Sequence, residues 1–273
     1  MIGWPKEIVR VALVFGLCLS ASYALGLEAS EPLEDRSGRE ESAPPSKETA
    51  GFWKALTHGM ILPEINPTGR IVGSKDMKMI LGPGDKIYIR TEKGPLAARK
   101  EYAVLRDIKK VYHPTTGKYL GHLVQVIGMI ETLGMEEKKA VATITRSSDY
   151  IERGDLIVSA ESLSVATERS SERHLSSLQG TIVGTKENHF NNGQMDIVYI
   201  DKGRKDEIAA GDYFKITHRG VQSRFQSEES LPQEEAGGLL ILFTQDQTAT
   251  AQIVESSEPI LAGDSIFYPP QNR

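Results

Sequence analysis

Four aspartates recur at equivalent places along the chain and carry the strongest potential for chemistry. Asp85 and Asp196 stand 111 residues apart, and Asp155 and Asp264 stand 109 residues apart. Paired carboxylates can act as general acid and base, as they do in glycan hydrolysis. Each of these four residues, however, directly precedes a short apolar segment, which is typical of a turn leading into a strand. The sequence therefore favours turn-forming aspartates over an acid pair.

The sequence contains none of the familiar catalytic or metal-binding patterns. It has no H-E-x-x-H, no G-x-S-x-G, no phosphate-binding glycine loop with lysine, and no EF-hand loop. The histidines do not stand at ligand spacing: His58, His113, His122, His174, His189 and His218. His189 and His218 are predicted to lie on the surface. We therefore predict no catalytic residue, no cofactor and no metal site.

Charge is distributed unevenly along the chain. The whole sequence has a net charge of -5, which argues against a generally basic nucleic-acid binder. Residues 69–158 hold 16 Lys/Arg against 11 Asp/Glu, a net of +5, and residues 180–267 hold 7 against 14, a net of -7. A patch for an anionic partner is predicted from five basic residues: Arg99, Lys100, Lys109, Lys110 and His113. Its ligand would be a carboxylated glycan, a lipid phosphate or an acidic protein, and docking against the acidic second half is the alternative.

The first 24 residues have the features of a signal peptide. Lys6 and Arg10 precede a nine-residue apolar run over 11–19, and small residues follow up to Ala24. This pattern predicts export to the periplasm or cell envelope, with cleavage after Ala24 and retention as an anchor as the alternative. Cys18, the single cysteine of the chain, lies within the apolar run, so the mature protein would contain no cysteine and no disulfide.

The next two segments are predicted to be a linker and a short helix. Residues 25–51 are acidic, rich in proline and serine, and poor in large apolar side chains, which predicts a disordered linker. Residues 52–68 are predicted to form a short helix that caps the first domain, with docking to a membrane surface or a partner as the alternative. The helix is indicated by the spacing of Phe52, Trp53, Leu56 and Met60, and by Pro63 and Pro67 beyond it.

The rest of the chain contains an internal repeat. Residues 69–75 (GRIVGSK) recur as 180–186 (GTIVGTK), and the same offset aligns 85–89 with 196–200 and Glu101-Tyr102 with Asp212-Tyr213. Towards the end of each unit the offset becomes 109. So many matches in order indicate two homologous units.

Each unit is predicted to consist of β-strands. Segments such as DKIYI and DIVYI are β-branched and aromatic, and 239–243 (LLILF) is continuously apolar, as expected for a strand covered on both sides or closing a barrel. No helical periodicity is present in either unit. We predict an all-β fold of two tandem, small, barrel-like repeats of about six strands each, over 69–158 and 180–268, joined by a linker over 159–179.

These patterns resemble a family of bacterial exported proteins related to the C-terminal β-barrel domain of flagellar assembly protein T. That module also occurs beside lysin-motif modules, which bind peptidoglycan. The resemblance covers about two-thirds of the chain and is fullest in the second unit, at Gly180, Ile182, 198–201, Gly203, Gly211-Asp212, Phe214 and Gly263-Asp264. The first unit departs from it, with Arg90 for the aspartate and Lys100-Glu101 for Gly-Asp. The resemblance implies a barrel fold and export.

Together these features predict a non-enzymatic scaffold or binding protein of the cell envelope. Its partner would be peptidoglycan, another anionic glycan or an envelope protein, including one of secretion or flagellar assembly. Binding of nucleic acid is not expected, and membrane contact would be peripheral at most. The alternative is an envelope glycan-processing enzyme whose site matches no known pattern.

Overall fold

The computed structural model describes residues 56–160, 163, 178–186, 191–218 and 235–269. The predicted signal peptide and the linker over 25–51 lie outside these residues, as does most of the linker over 159–179. The regular structure of the described residues consists mainly of β-strands, and a short 3-10 helix, Arg204–Asp206, lies among them. The prediction of an all-β fold is confirmed.

The first repeat forms a barrel-like sheet, here called barrel 1. Its strands are β2 (Gly69–Ser74), β3 (Lys86–Thr91), β4 (Glu101–Tyr112), β5 (Tyr119–Glu136), β6 (Lys139–Ser147) and β7 (Leu156–Ser159), and β1 (Met60–Leu62) precedes them. The six strands pair in the ring order β4-β5-β6-β3-β2-β7, with β7 pairing back onto β4. Strand β1 adds to this sheet by antiparallel pairing with β5.

The second repeat forms a closed six-stranded barrel, here called barrel 2. Its strands are β8 (Gln179–Thr185), β9 (Ile197–Ile200), β10 (Tyr213–Thr217), β11 (Glu235–Thr244), β12 (Ala249–Ser256) and β13 (Ser265–Phe267). Their order, β10-β11-β12-β9-β8-β13, is the order of barrel 1 strand for strand. A β-bulge falls at the same point of the repeat, between Ile71 and Gly73 in β2 and between Ile182 and Gly184 in β8. The predicted duplication is therefore present in topology as well as in sequence.

The interiors of the two barrels are equivalent. Ile87 and Val198 occupy the same core position, as do Ala142 and Ala251, and all four side chains are fully buried. The backbone hydrogen bonds repeat too: Ile71 N–H donates to the Asp155 carbonyl, as Ile182 N–H does to that of Asp264. Each repeat therefore closes its own apolar core, and burial of that core is the main stabilising term for each barrel.

A second buried layer joins the barrels, and strand β1 lies at its centre. Met60 packs with the outer faces of β4, β5 and β7, while Ile61 packs with Val183, Ile197 and Tyr199 of barrel 2. Barrel 2 also contributes Phe243, which is fully buried in the layer around Met60. The described residues accordingly belong to one compact unit, Pro45–Arg273.

A β-bulge in β11 explains how Phe243 reaches this layer. Ile241 faces the core of barrel 2, and the register between β11 and β12 shifts between Ile241 and Phe243. The extra residue turns Phe243 to the outer face of barrel 2, against barrel 1. Strand β11 is therefore covered on both sides, as its continuous apolar run predicts.

Hydrogen bonds from barrel 2 hold the backbone around β1. Tyr199 Oη donates to the His58 carbonyl at 2.8 Å, Thr250 Oγ1 to that of Gly59 at 2.9 Å, and Thr248 Oγ1 to that of Ile61 at 3.3 Å. Gly59 has φ +87°, and a Cβ atom there would lie 2.8 Å from Tyr199 Oη. Glycine is therefore required at this position.

The predicted helix over 52–68 differs from the structure at its end. Residues 52–55 lie outside the described residues, Leu56 is helical, and Met60–Leu62 is a strand. The positive φ of Gly59 ends the helical turn, and the free edge of β5 offers Met60 pairing with Val124. The spacing of Leu56 and Met60 did not reveal the strand, because two buried residues four positions apart fit a helical turn followed by a strand as well as a continuous helix.

The structure also corrects the sequence alignment at the start of β4. Lys100 carbonyl accepts from Thr132 N–H as Asp212 carbonyl accepts from Ile241 N–H, so Lys100, not Glu101, is equivalent to Asp212. Tyr102 then matches Phe214, and both side chains are buried in their barrel cores. Arg99 is consequently equivalent to Gly211. Both residues have a positive φ, +56° for Arg99 and +85° for Gly211.

This equivalence predicts opposite effects of substitution in the two barrels. Arg99→Gly should raise the free energy of unfolding by up to about 1 kcal/mol, because glycine adopts positive φ without steric cost. Gly211→Ala should lower it by about 1 kcal/mol for the converse reason. Urea unfolding of each variant measures both values. Arg99→Ala is the control, since it removes the charge but keeps the strained backbone, and a gain as large as that of Arg99→Gly would contradict this explanation.

Candidate functional site

The four recurrent aspartates hold turns together. In each case Oδ2 accepts a hydrogen bond from the backbone N–H three residues earlier, at 2.8 to 3.0 Å: Gly82 for Asp85, Gly193 for Asp196, Glu152 for Asp155 and Leu261 for Asp264. Asp212 does the same with the N–H of Ala209. The prediction of turn-forming aspartates is confirmed, and these carboxylates have a structural task in both barrels.

Two of these aspartates also contact a basic side chain, and the two sites are equivalent. In barrel 1, Arg106 donates from Nε and Nη2 to the carboxylate of Asp155 at 3.0 and 2.9 Å. In barrel 2, His218 Nδ1 lies 3.2 Å from Asp264 Oδ2 and its Nε2 lies 3.0 Å from Glu258 Oε2. These hydrogen bonds to Asp155 raise the pKa of Arg106 further above its ordinary value.

His218 lies at the surface, as predicted, but it also has a structural contact that the sequence did not indicate. Its side chain is one-third exposed and bridges two carboxylates, one of them buried. The sequence could have indicated this contact through the equivalence of His218 to Arg106. The one-residue error in the alignment of the repeats at the start of β4 concealed that equivalence. His189 lies outside the described residues.

The predicted cationic patch is divided between the two ends of β4. Arg99 is exposed and Lys100 half-buried at the start of the strand, and Lys109 and Lys110 lie near its end. Lys109 follows Lys100 by nine positions, which corresponds to about 30 Å of extended strand. The five residues therefore do not form one continuous surface, because the strand that carries them is longer than the sequence indicated.

The end of β4 belongs to a hairpin that reaches barrel 2. We call residues 107–124 the arm, since β7 pairs with β4 only over Tyr102–Leu105 and β6 pairs with β5 only from Gly128 onward. Val111 and Leu123 of the arm pack against Tyr199 of barrel 2. The arm is thus fixed on its inner face, while Lys110 is exposed and Lys109 is half-buried. Burial lowers the pKa of Lys109 below its ordinary value.

His113 contacts barrel 2 directly. Its Nε2 lies 3.2 Å from Asp201 Oδ2, while its Nδ1 accepts from the backbone N–H of Thr115 at 3.2 Å. Because Nδ1 accepts, Nε2 carries the proton and donates to Asp201. Asp201 is fixed in turn by the N–H of Thr181 at 2.7 Å. Of the five predicted residues, His113 is therefore engaged in the junction between the barrels.

An exposed apolar surface on barrel 1 was not predicted from the sequence. The β2–β3 loop carries Met77, Met79 and Ile80, which are 93%, 87% and 69% exposed. Beside this loop lies a shallow concavity of about 190 Å³, whose lining includes Lys75, Lys86, Tyr88, Leu133 and Met135. The sequence signal was the apolar M-K-M-I segment between two strands, where polar turn residues are usual.

A cavity of about 250 Å³ lies beside His58, Gly59 and Tyr199 at the junction of the barrels. Among the residues that the structure describes, no three His, Cys, Asp or Glu side chains stand together as metal ligands. In the same residues no helix has the length and apolarity to cross a bilayer.

Comparison with known proteins adds no relative. A scan against protein-family models finds no matching family, and a search of curated proteins finds no match. The resemblance to flagellar assembly protein T therefore rests on sequence patterns alone.

The junction generates a prediction about Tyr199. Burial raises the pKa of its hydroxyl well above the ordinary value. Between the ordinary pKa of about 10 and the raised one, the unfolded chain binds fewer protons than the folded chain, so stability falls as pH rises, by up to about 1.4 kcal/mol per pH unit. Below the ordinary pKa this loss is absent.

The variant Tyr199→Phe has no hydroxyl at this position and should therefore lack this fall in stability with rising pH. At neutral pH the variant should be less stable by about 1 to 3 kcal/mol, because the Tyr199 hydroxyl no longer donates to the His58 carbonyl at the junction. The difference from the unaltered chain should shrink as pH rises past about 10. Urea unfolding at neutral and alkaline pH measures it, and a difference that stays constant with pH would contradict the burial of this hydroxyl.

Proposed function

We propose that the chain is an exported, non-enzymatic binding or scaffold protein of the cell envelope, and that barrel 1 contacts an anionic envelope polymer such as peptidoglycan. The observation that carries the proposal is the joining of two equivalent barrels with opposite net charge into one unit. The buried layer around Met60 and Phe243 keeps the basic and acidic surfaces at a fixed spacing. A fixed arrangement of two charged surfaces suits a protein that positions partners.

The recurrent aspartates support a binding role over glycan processing. A glycosidase needs one carboxyl group free to give a proton and another free to act on the sugar or on water. Asp85, Asp155, Asp196 and Asp264 each accept a turn N–H, and Asp155 is also held by Arg106. The resemblance to the flagellar assembly protein T domain, and to modules that accompany lysin motifs, favours the same class of function.

Two exposed cations of barrel 1 are the best candidates for polymer contact. Arg99 and Lys110 are both exposed, whereas Lys109 is half-buried and His113 holds Asp201. An exposed charge contact contributes about 1 kcal/mol or less, so each alone has a small effect. In the proposal they act together with the remaining positive charge of barrel 1.

The proposal predicts binding to isolated peptidoglycan sacculi that depends on barrel 1. Arg99→Glu with Lys110→Glu should reduce co-sedimentation several-fold at low salt, and added salt should reduce that of the unaltered chain through screening. The control is Lys202→Glu with Lys205→Glu, which makes the same charge change in barrel 2 and should leave binding unchanged. If the unaltered chain does not sediment with sacculi at low salt, the polymer contact is excluded.

A further inference from the structure

The β2–β3 loop of barrel 1 presents apolar side chains to solvent from an ordered backbone. Met77, Met79 and Ile80 lie within four consecutive residues and are at least two-thirds exposed. Lys78 N–H donates to Ser74 Oγ at 3.0 Å, and Lys78 Nζ lies 2.6 Å from Asp85 Oδ1. The exposure of these side chains is therefore a property of a defined turn.

The backbone of the loop is strained at its tip. Met77 has φ +53°, a conformation that costs energy for any residue with a Cβ atom. Glycine would relieve this cost but would remove the apolar side chain. Strain of this kind is commonly retained at binding sites.

The neighbouring surface continues the apolar character and adds positive charge. Leu133 and Met135, 48% and 42% exposed, lie in the concavity whose wall includes Lys75 and Lys86. Lys139 Nζ lies 5.9 Å from the centre of the Tyr88 ring in the same wall. The concavity thus combines an apolar centre with two exposed lysines and one carboxylate, that of Glu136, and Lys139 lies beside it.

This combination matches the surface of an anionic bilayer. Apolar side chains at an interface insert among the acyl chains, and lysines beside them contact lipid phosphates. We propose that the β2–β3 loop and the adjoining concavity of barrel 1 dock onto a membrane rich in anionic phospholipid, with Met77, Met79 and Ile80 inserted. This inference goes beyond the proposed function, because it requires only an anionic bilayer and no glycan.

Barrel 2 supplies the internal comparison. Its exposed aliphatic residues among those that the structure describes are Met195, 67% exposed before β9, and Leu261, 42% exposed between β12 and β13. Barrel 2 carries a net charge of -7 over 180–267, which opposes approach to an anionic surface. Docking is therefore assigned to barrel 1.

The test is co-sedimentation with vesicles of phosphatidylcholine, with and without phosphatidylglycerol. The chain used lacks residues 1–24, which lie outside the compact unit Pro45–Arg273, so that the apolar run over 11–19 cannot anchor it. It should bind the anionic vesicles, and less so the neutral ones. Met77→Ser, Met79→Ser and Ile80→Ser together should weaken binding at least about tenfold, because three apolar side chains no longer transfer from water. Lys75→Glu with Lys86→Glu should also weaken it.

Met195→Ser with Leu261→Ser is the matched control and should bind as the unaltered chain does. Circular dichroism during heating establishes that each variant is folded. The proposal is overturned if the unaltered chain does not bind anionic vesicles. It is also overturned if the triple serine variant binds as well as the unaltered chain, or if only the barrel 2 control loses binding. Sedimentation of the same variants with sacculi keeps the two proposals separate, since the triple serine variant should retain sacculus binding.

Discussion

The joining of the two barrels depends on the hydrogen bonds made by the backbone polar groups around β1. A strand added to one edge of a sheet leaves its other edge without partners, and burying that edge costs free energy unless the polar groups are bonded. Here β5 bonds one edge, and the hydroxyls of Tyr199, Thr248 and Thr250 bond the carbonyls on the side of barrel 2. Neither barrel alone completes this segment, so the segment makes the two barrels one unit.

Once the barrels are joined, the copies are free to differ on their remaining faces. The cores and the aspartate turns stay equivalent, because each barrel must still close and bury its own interior. Differences collect where the repeat faces outward: Arg106 against His218 at the aspartate site, Arg99 against Gly211 before the strand, and opposite net charges. The proposed contacts with polymer and membrane both use the outward face of barrel 1, where sequence change does not disturb closure.

The fold was largely predictable, and the junction was not. Repeated G-x-I-V segments and β-branched runs depend on local sequence, so the two units and their strand character followed from them. The role of Tyr199 depends on a residue about 140 positions away, His58, and nothing near either one indicates the pairing. The cationic patch failed to form one surface for a similar reason, since the length of β4 is set by pairing with β5 rather than by the charges it carries. The exposed Met77 was visible in the sequence, but its exposure required the structure.

The most direct test of the coupling between the barrels is hydrogen exchange in barrel 1 after a substitution in barrel 2. Thr250→Val keeps the shape of the side chain and removes the hydrogen bond to the Gly59 carbonyl. Exchange at the amides of Ile61 and Val124 should accelerate about five- to tenfold or more, as expected for a buried carbonyl left unpaired. Ile266→Val, which perturbs only the core of barrel 2, should leave these amides unchanged. Unchanged exchange at Ile61 and Val124 in Thr250→Val would contradict the account.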